Sequence, residues 1–264
     1  MKRLIVWLGW LVGLAAMAAP HAVLSPAPVG AVRWTQGFWA DRFTLSHDVV
    51  APEMAKTLEL AGNGANLVNL RIAAGLQPGE FKGNNWSDGD VYKWLEGLAH
   101  LYARTKDAKI DAQMDAVISL VAKAQQPDGY VSTNITLRGA QRWQLPKNHE
   151  MYNMGHLLAA AAAHHKATGK KSLLAIAAKV TDLLYPLLQP RSAQMAHFGA
   201  PSNVMGFLDL YRVTGDRRLL ELAQILVDSR GSAPGGTDHF QTRVPLRKET
   251  QAVGHAVHAT YLFA

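Results

Sequence analysis

Cysteine is absent from all 264 residues of the sequence. An exported protein could use disulfide bonds, and this one does without them. At this length a hydrophobic core can support the fold unaided. A cysteine thiolate is therefore excluded as a nucleophile within this chain.

Several well-known functional motifs are missing as well. There is no P-loop, no GxGxxG after a strand and no GxSxG elbow, so nothing indicates a nucleotide cofactor. The segment "HEMYN" lacks the second histidine of the HExxH zinc motif. The formal charge is +7, but lysine and arginine are scattered without a basic stripe, so we expect no nucleic-acid partner.

The long apolar run of the sequence stands at its N-terminus. "MKR" followed by "LIVWLGWLVGLAAMAA" and small residues predicts a signal peptide over residues 1–19, cleaved near Ala18 or Ala19. Residues 20–31 form a Pro-rich lead-in. A membrane anchor is the alternative, but the run is shorter than the ~20 residues that span a bilayer. We expect a periplasmic or secreted protein with no membrane span after cleavage.

The rest of the chain has a helical pattern. Apolar residues recur every 3–4 positions, which predicts paired helices over residues 90–107 and 109–125, 154–169 and 170–188, and 202–215 and 216–231. A short polar turn follows the first helix of each pair, at Thr105, Thr168 and Thr214, and the second and third turns contain a glycine suited to a left-handed cap. Such repeats predict an array of helical hairpins.

The loops of this array are asymmetric in length. Loops within hairpins are short, whereas those between hairpins are long and rich in Gly, Trp, His and Asp. This favours an all-α, incomplete (α/α)6 toroid with a pocket on the long-loop face over an open solenoid. Residues 32–264 would form a partial barrel domain, and we expect it to be truncated at its C-terminus because the chain stops within a helical pattern.

The first cluster of candidate site residues consists of Trp86, Asp88 and Asp90, at the start of a predicted helix. Aspartate often caps a helix N-terminus, which would account for one of the two. Two carboxylates beside a tryptophan also suit a sugar site. Both interpretations remain open.

A second cluster lies where a long loop enters a helix. His149, Glu150 and Tyr152 would face the same mouth as Asp88 and Asp90, with His156 either joining them or packing in the core. We expect His164 and His165, late in the same helix, to be solvated.

The third cluster is near the C-terminus. His255 is predicted about six residues inside the final helix, where its Gly and Ala neighbours would let it point into a central cavity or pack against another helix. His258 is given no role. We expect Val253, Val257, Tyr261 and Leu262 to form an apolar core face whose packing partners are missing from this chain.

Successive segments resemble motifs of the β-L-arabinofuranosidase-type glycoside hydrolases, glycoside hydrolase family 127 and its relatives. They are "VRWTQGFWADR", "SDGDVYKWLEGLAHLY", "AQQPDGYVST", "HEMYNMGHLLAAAAAHHKATG", "LYRVTGDRRLLELA" and "DHFQTRVPLRKETQAVGHAVHATYL". The resemblance implies an (α/α)6 barrel followed by β-sandwich domains. It implies retaining removal of L-arabinofuranose or related sugars from plant-type glycans. It also implies substrate contacts by His149 and His255.

In the family's best-known branch, the nucleophile is a cysteine held in a zinc site with further cysteines and a glutamate. Those motifs lie downstream of "GHAV" in the family and are not found here, so we expect no metal or cofactor in this chain. Ala200 also stands where family members often carry a histidine. The expected function is that of an exported glycosidase acting on oligo- or polysaccharide, with this chain alone inactive.

Two other functions remain open from the sequence. An unsaturated glucuronyl hydrolase or polysaccharide lyase could use Asp88, Asp90 or Glu150 as acid or base. A non-catalytic glycan-binding helical module would need no nucleophile at all.

Overall fold

A computed structural model describes residues 27–60, 62, 64–189 and 201–263. Within these residues all regular structure is helical, as predicted. The helices are α1 (Phe38–Leu45), α2 (Ala51–Glu59), α3 (Asn66–Ala73), α4 (Ser87–Thr105), α5 (Ala108–Ala124), α6 (Thr133–Arg138), α7 (Glu150–Thr168), α8 (Ser172–Leu188), α9 (Pro201–Thr214), α10 (Arg217–Ser229) and α11 (Ala256–Phe263). A π-helical segment (Ser46–Val50) joins α1 to α2, and 3₁₀ turns occupy Pro146–Asn148 and Leu246–Lys248.

The three predicted hairpins are present as α4–α5, α7–α8 and α9–α10, and they share one turn design. The hydroxyls of Thr105, Thr168 and Thr214 donate to the carbonyl four residues earlier, at 2.9, 2.7 and 2.8 Å. Each hydroxyl also accepts the backbone N–H two residues later, at 3.3, 3.0 and 3.3 Å. The repeated threonine therefore satisfies backbone groups left open where one helix ends.

Left-handed residues complete these turns. Gly169 and Gly215 have φ of 76° and 71°, as the sequence predicted, and Lys106 takes φ of 55° in the first turn. Asp107 and Asp216 then cap the following helices, accepting backbone N–H groups at 2.8 and 3.0 Å.

The hairpins stack into two layers. In one layer α4 packs on α7, α7 on α9, and α9 on α11; in the other, α5 packs on α8 and α8 on α10. Helix α7 lies between α4, α8 and α9, so most of its residues are buried, including the alanines at 159–163. Because the hairpins lie side by side, the long connections that follow α5 and α10 lead to the starts of α7 and α11 in the first layer.

Two glycines set the spacing between α7 and α9. A Cβ on Gly155 would lie 2.5 Å from the Ser202 carbonyl carbon, and one on Gly206 would lie 2.2 Å from the Gly155 carbonyl oxygen. The backbones therefore approach too closely for any larger residue, which fixes where the start of α9 lies against α7.

One expectation about helix environment is wrong. His164 is only 1% exposed rather than solvated, because α7 is enclosed by neighbouring helices along most of its length. The predicted core face of the last helix is not buried: α11 has no buried residue within 256–263, Val257 is 41% exposed, and Val253 precedes the helix half-buried. Helix α11 covers α9 on one side only.

No helix among the described residues has both the length and the apolar character needed to cross a membrane. The predicted signal peptide, most of the lead-in and Ala200 lie outside the described residues.

Candidate functional site

A continuous series of ring contacts runs from the loop before α4 to α11. Trp86 meets His149 at a centroid distance of 5.4 Å, and His149 meets Tyr152 at 5.5 Å. Tyr152 meets His156 at 4.6 Å, and His156 meets Tyr261 at 5.4 Å. All four contacts are edge-to-face, the arrangement that aromatic rings favour. The structure thus brings Trp86, His149 and Tyr152 together at the starts of α4 and α7.

His149 occupies a constrained position at the start of α7. It is the N-cap residue and has a φ of 56°, in the left-handed region that few residues other than glycine adopt. Its Nδ1 lies 2.7 Å from the Lys147 carbonyl oxygen. A carbonyl only accepts, so Nδ1 carries a proton in this contact and Nε2 is the ring nitrogen left for another partner.

Glu150 holds the loop that carries His149. Its carboxylate is 2% exposed and accepts the Tyr130 hydroxyl at 2.5 Å and the Trp143 backbone N–H at 2.9 Å. Burial raises the pKa of Glu150, and the hydrogen bonds from Tyr130 and Trp143 oppose that rise. With both oxygens engaged inside the protein, the carboxylate orients the loop and does not face the mouth.

Asp88 is also turned inward, and the prediction that it or Asp90 caps α4 is wrong. The N-cap residue is Trp86, without a side-chain hydrogen bond. Asp88 lies inside the first turn, 2% exposed, and accepts the Thr133 backbone N–H at 2.8 Å and the Thr133 hydroxyl at 2.6 Å. Burial raises the pKa of Asp88, and the two hydrogen bonds from Thr133 oppose that rise. Asp88 therefore fixes α6 to α4.

Asp90 is the carboxylate of the pair that stays accessible. The Lys93 ammonium donates to its Oδ1 at 2.8 Å and to the Tyr152 hydroxyl at 3.1 Å, which links α4 to α7. Burial lowers the pKa of Lys93, but the bonds to Asp90 and Tyr152 raise it more, so the pKa lies above its usual value. The sequence analysis missed Lys93. The i, i+3 spacing of Asp90 and Lys93 can be read from the sequence, whereas the contact of Lys93 with Tyr152 depends on the packing of α4 on α7.

A second ring cluster lies at the start of α11. His239 lies 5.3 Å from His255 and 6.0 Å from His258 between ring centroids, and His255 lies 4.7 Å from His258. His255 is exposed and precedes α11, which begins at Ala256, so its predicted place inside the helix is wrong. The glycine before it, Gly254, has a φ of 88° and directs the chain back toward His239.

His258 belongs to this second cluster, although no role was expected for it, and its ring also stacks on Phe240 at 5.8 Å. Its Nδ1 is buried without a hydrogen-bond partner. Burial lowers its pKa to about 4, and the charges of His255, His239, Arg230 and His149 add to the effect. His149 and His255 therefore both lie near enough to His258 to affect its pKa.

The zinc site that the resemblance implies does not fit these residues. The sequence has no cysteine, and across 27–60, 62, 64–189 and 201–263 no three His, Asp or Glu side chains are arranged to hold a metal ion. We assign no metal-dependent role to the described residues.

A curved two-layer array of helical hairpins, with aromatic and imidazole side chains gathered where long loops meet helix starts, is typical of α/α-toroid carbohydrate enzymes. Over residues 31–264 the chain matches the family model for the β-L-arabinofuranosidase catalytic domain of glycoside hydrolase family 127. The chain belongs to this family.

Individual relatives agree with that assignment. A non-reducing end β-L-arabinofuranosidase of Bifidobacterium longum subsp. longum is 34% identical over 244 residues, which cover 81% of this chain and 37% of the relative. The family 127 β-L-arabinofuranosidase of Geobacillus stearothermophilus T6 superposes with a TM-score of 0.77 at 33% identity, covering 86% of this chain and 40% of that one. Another family 127 β-arabinofuranosidase gives a TM-score of 0.79 at 31% identity, with coverage of 90% and 39%. The chain spans less than half the length of each of these relatives.

Proposed function

We propose that this chain forms the sugar-recognition part of an exported glycoside hydrolase that releases terminal L-arabinofuranose, or a closely related sugar, from plant-type glycans. The observation that carries the proposal is the series of ring contacts that joins Trp86, His149 and Tyr152 at the starts of α4 and α7. The relatives named as β-L-arabinofuranosidases support the choice of sugar.

The chemistry at these rings suits a neutral sugar. Trp86 is 42% exposed and offers a flat apolar surface for the C–H groups of a sugar ring. Because Nδ1 of His149 is bonded to the Lys147 carbonyl, this imidazole offers Nε2 to a sugar hydroxyl, and the imidazole of His255 adds a further polar group. Asp90 adds a carboxylate acceptor beside Tyr152.

We assign recognition rather than bond cleavage to these 264 residues because they contain no cysteine. A thiolate nucleophile and its zinc would have to be supplied from outside them. The absence of cysteine also favours a second candidate function, that of a glycan-binding helical module without catalysis.

A uronide-cleaving toroid enzyme is less well supported. It would need Asp88, Asp90 or Glu150 as an acid or base in contact with substrate. Asp88 and Glu150 are each 2% exposed and hydrogen-bonded to protein groups, which leaves Asp90 alone.

The test combines binding and turnover on the protein as it exists. Isothermal titration with methyl β-L-arabinofuranoside should show binding that His149→Ala abolishes and His165→Ala, at the far end of α7, leaves intact. p-Nitrophenyl β-L-arabinofuranoside should not be hydrolysed. Turnover that His149→Ala abolishes would refute the recognition-only assignment, and binding of unsaturated uronides in place of the arabinofuranoside would refute the sugar class.

Export is part of the same proposal, and it depends on the sequence of residues 1–19. N-terminal sequencing of protein recovered from the periplasm or medium should find cleavage near Ala18 or Ala19. An uncleaved N-terminus in the membrane fraction would contradict it.

A further inference from the structure

Lys93 lies beside Tyr152, at the edge of the ring series, and the family assignment does not explain its position. Its ammonium bonds Asp90 on its own helix at 2.8 Å and the Tyr152 hydroxyl on α7 at 3.1 Å. The side chains of Lys93 and Asp90 remain 35% and 39% exposed. Both also line a cavity of about 990 Å³ between the N-terminal segment and α4, so a ligand can reach them; Trp86, His149 and Tyr152 do not line that cavity.

The three groups retain unused hydrogen-bonding capacity. An ammonium has three protons, and two are used by Asp90 and Tyr152. Asp90 Oδ2 and the phenolic proton of Tyr152 have no partner among the described residues. One free cationic donor, one free carboxylate acceptor and one free phenol donor thus lie side by side.

This set matches the needs of a sugar diol. One hydroxyl can donate to Asp90 Oδ2 while it or its neighbour accepts from Lys93. Bonds to charged groups are stronger than those between neutral partners. A ligand that lacks one of these hydroxyls leaves a charged group unpaired, which is how polar sites discriminate between close analogues.

We propose that Lys93, together with Asp90 and Tyr152, is a specificity-determining unit that reads the ring hydroxyls of the bound pentose. This inference rests on the proposed function, because it needs a sugar at the mouth. Lys93 also orients the phenol of Tyr152. The His149 ring packs on this phenol with a centroid distance of 5.5 Å.

The alternative is an ordinary surface ion pair that merely links two side chains. The chain contains a matched example: Lys56 bonds Glu53 at 2.6 Å with the same i, i+3 spacing, and both side chains are more than half exposed. Such pairs contribute little to stability. Lys56→Met is therefore the control for Lys93→Met.

The experiment pairs protein variants with ligand variants. Wild type, Lys93→Met and Lys56→Met are titrated with methyl β-L-arabinofuranoside and with its 2-deoxy and 3-deoxy derivatives. Lys93→Met should lose about tenfold or more in affinity for the parent sugar. It should lose much less for the derivative that lacks the hydroxyl it reads, because that contact is already absent. Lys56→Met should match wild type with all three ligands.

The outcomes separate the inference from the function on which it rests. If wild type binds none of the three sugars, the proposed function fails. If wild type binds and Lys93→Met weakens all three ligands equally, or none, the inference is overturned and the proposed function stands. If circular dichroism shows that Lys93→Met does not fold, Tyr152→Phe with the same ligands decides: unequal losses support the unit, and equal ones refute it.

Discussion

Alanine at Gly155 should destabilise the protein, because its Cβ has no room between α7 and α9. The new carbon would lie 2.5 Å from the Ser202 carbonyl carbon and 2.6 Å from both the Ser202 oxygen and the Asn203 nitrogen. All three are backbone atoms, so no side-chain rotation relieves the overlap. Since non-bonded carbons rest at about 3.5 Å or more, the helices would have to separate by about 1 Å.

The size of the effect follows from two opposing contributions. Overpacking of a rigid interior costs about 1–3 kcal/mol, and a clash with backbone belongs at the upper end. Alanine in a helix gains about 1 kcal/mol over glycine. We therefore expect a net loss of about 2 kcal/mol. Gly97→Ala in α4 is the control: no atom lies within 4 Å of its Cβ, so it should gain up to about 1 kcal/mol.

Urea unfolding monitored by circular dichroism measures both variants against wild type. The two free energies of unfolding should differ by about 3 kcal/mol, which corresponds to melting temperatures about 6–12 °C apart for a domain of this size. If Gly155→Ala proves as stable as Gly97→Ala, the glycine contact is not what sets the distance between α7 and α9.

Three further predictions concern buried ionisable groups. Asp88→Asn disrupts the hydrogen bonds from Thr133 and should lower the free energy of unfolding by about 1–3 kcal/mol. Asp90→Asn should lower it by less than about 1 kcal/mol. Equal losses in urea unfolding would contradict the roles assigned to the two carboxylates. His156 has a pKa lowered to about 3 by burial, so the unfolded chain binds its proton first as the pH falls. Wild type should therefore lose about 2 kcal/mol more than His156→Phe between pH 7 and pH 5, and parallel stability curves would refute this. Glu150→Gln keeps only one acceptor oxygen. The loop before α7 should therefore exchange its amide hydrogens faster in hydrogen-exchange measurements. Unchanged protection of that loop would show that the carboxylate does not hold it.

Much of the fold was predictable because its signals are local. Helices α4, α5, α7, α8, α9 and α10 match the predicted helical segments to within about four residues, since each carries its own apolar periodicity. Helices α3 and α6 were missed; they have only 8 and 6 residues, too few for a clear period. The start of α6 is held by Asp88, 45 residues away, which no local pattern shows.

The candidate site was predictable in part. Trp86, His149 and Tyr152 were placed together because each lies where a loop meets a helix start. The sequence did not show that Asp88 and Glu150 face inward, and it did not indicate Lys93 or His258. Each of these depends on contacts between different helices: Lys93 and Tyr152, for example, are 59 residues apart.

By itself, the sequence determined the helices, the threonine turns that pair them and, through its ordered motifs, the family. These features depend on hydrogen bonds and apolar spacing within a few residues. The tertiary structure alone decided which carboxylates are buried, which imidazoles remain neutral and which side chains share the mouth. Desolvation and charge pairing depend on distances between helices, and those distances are set by packing such as the contact of Gly155 with α9.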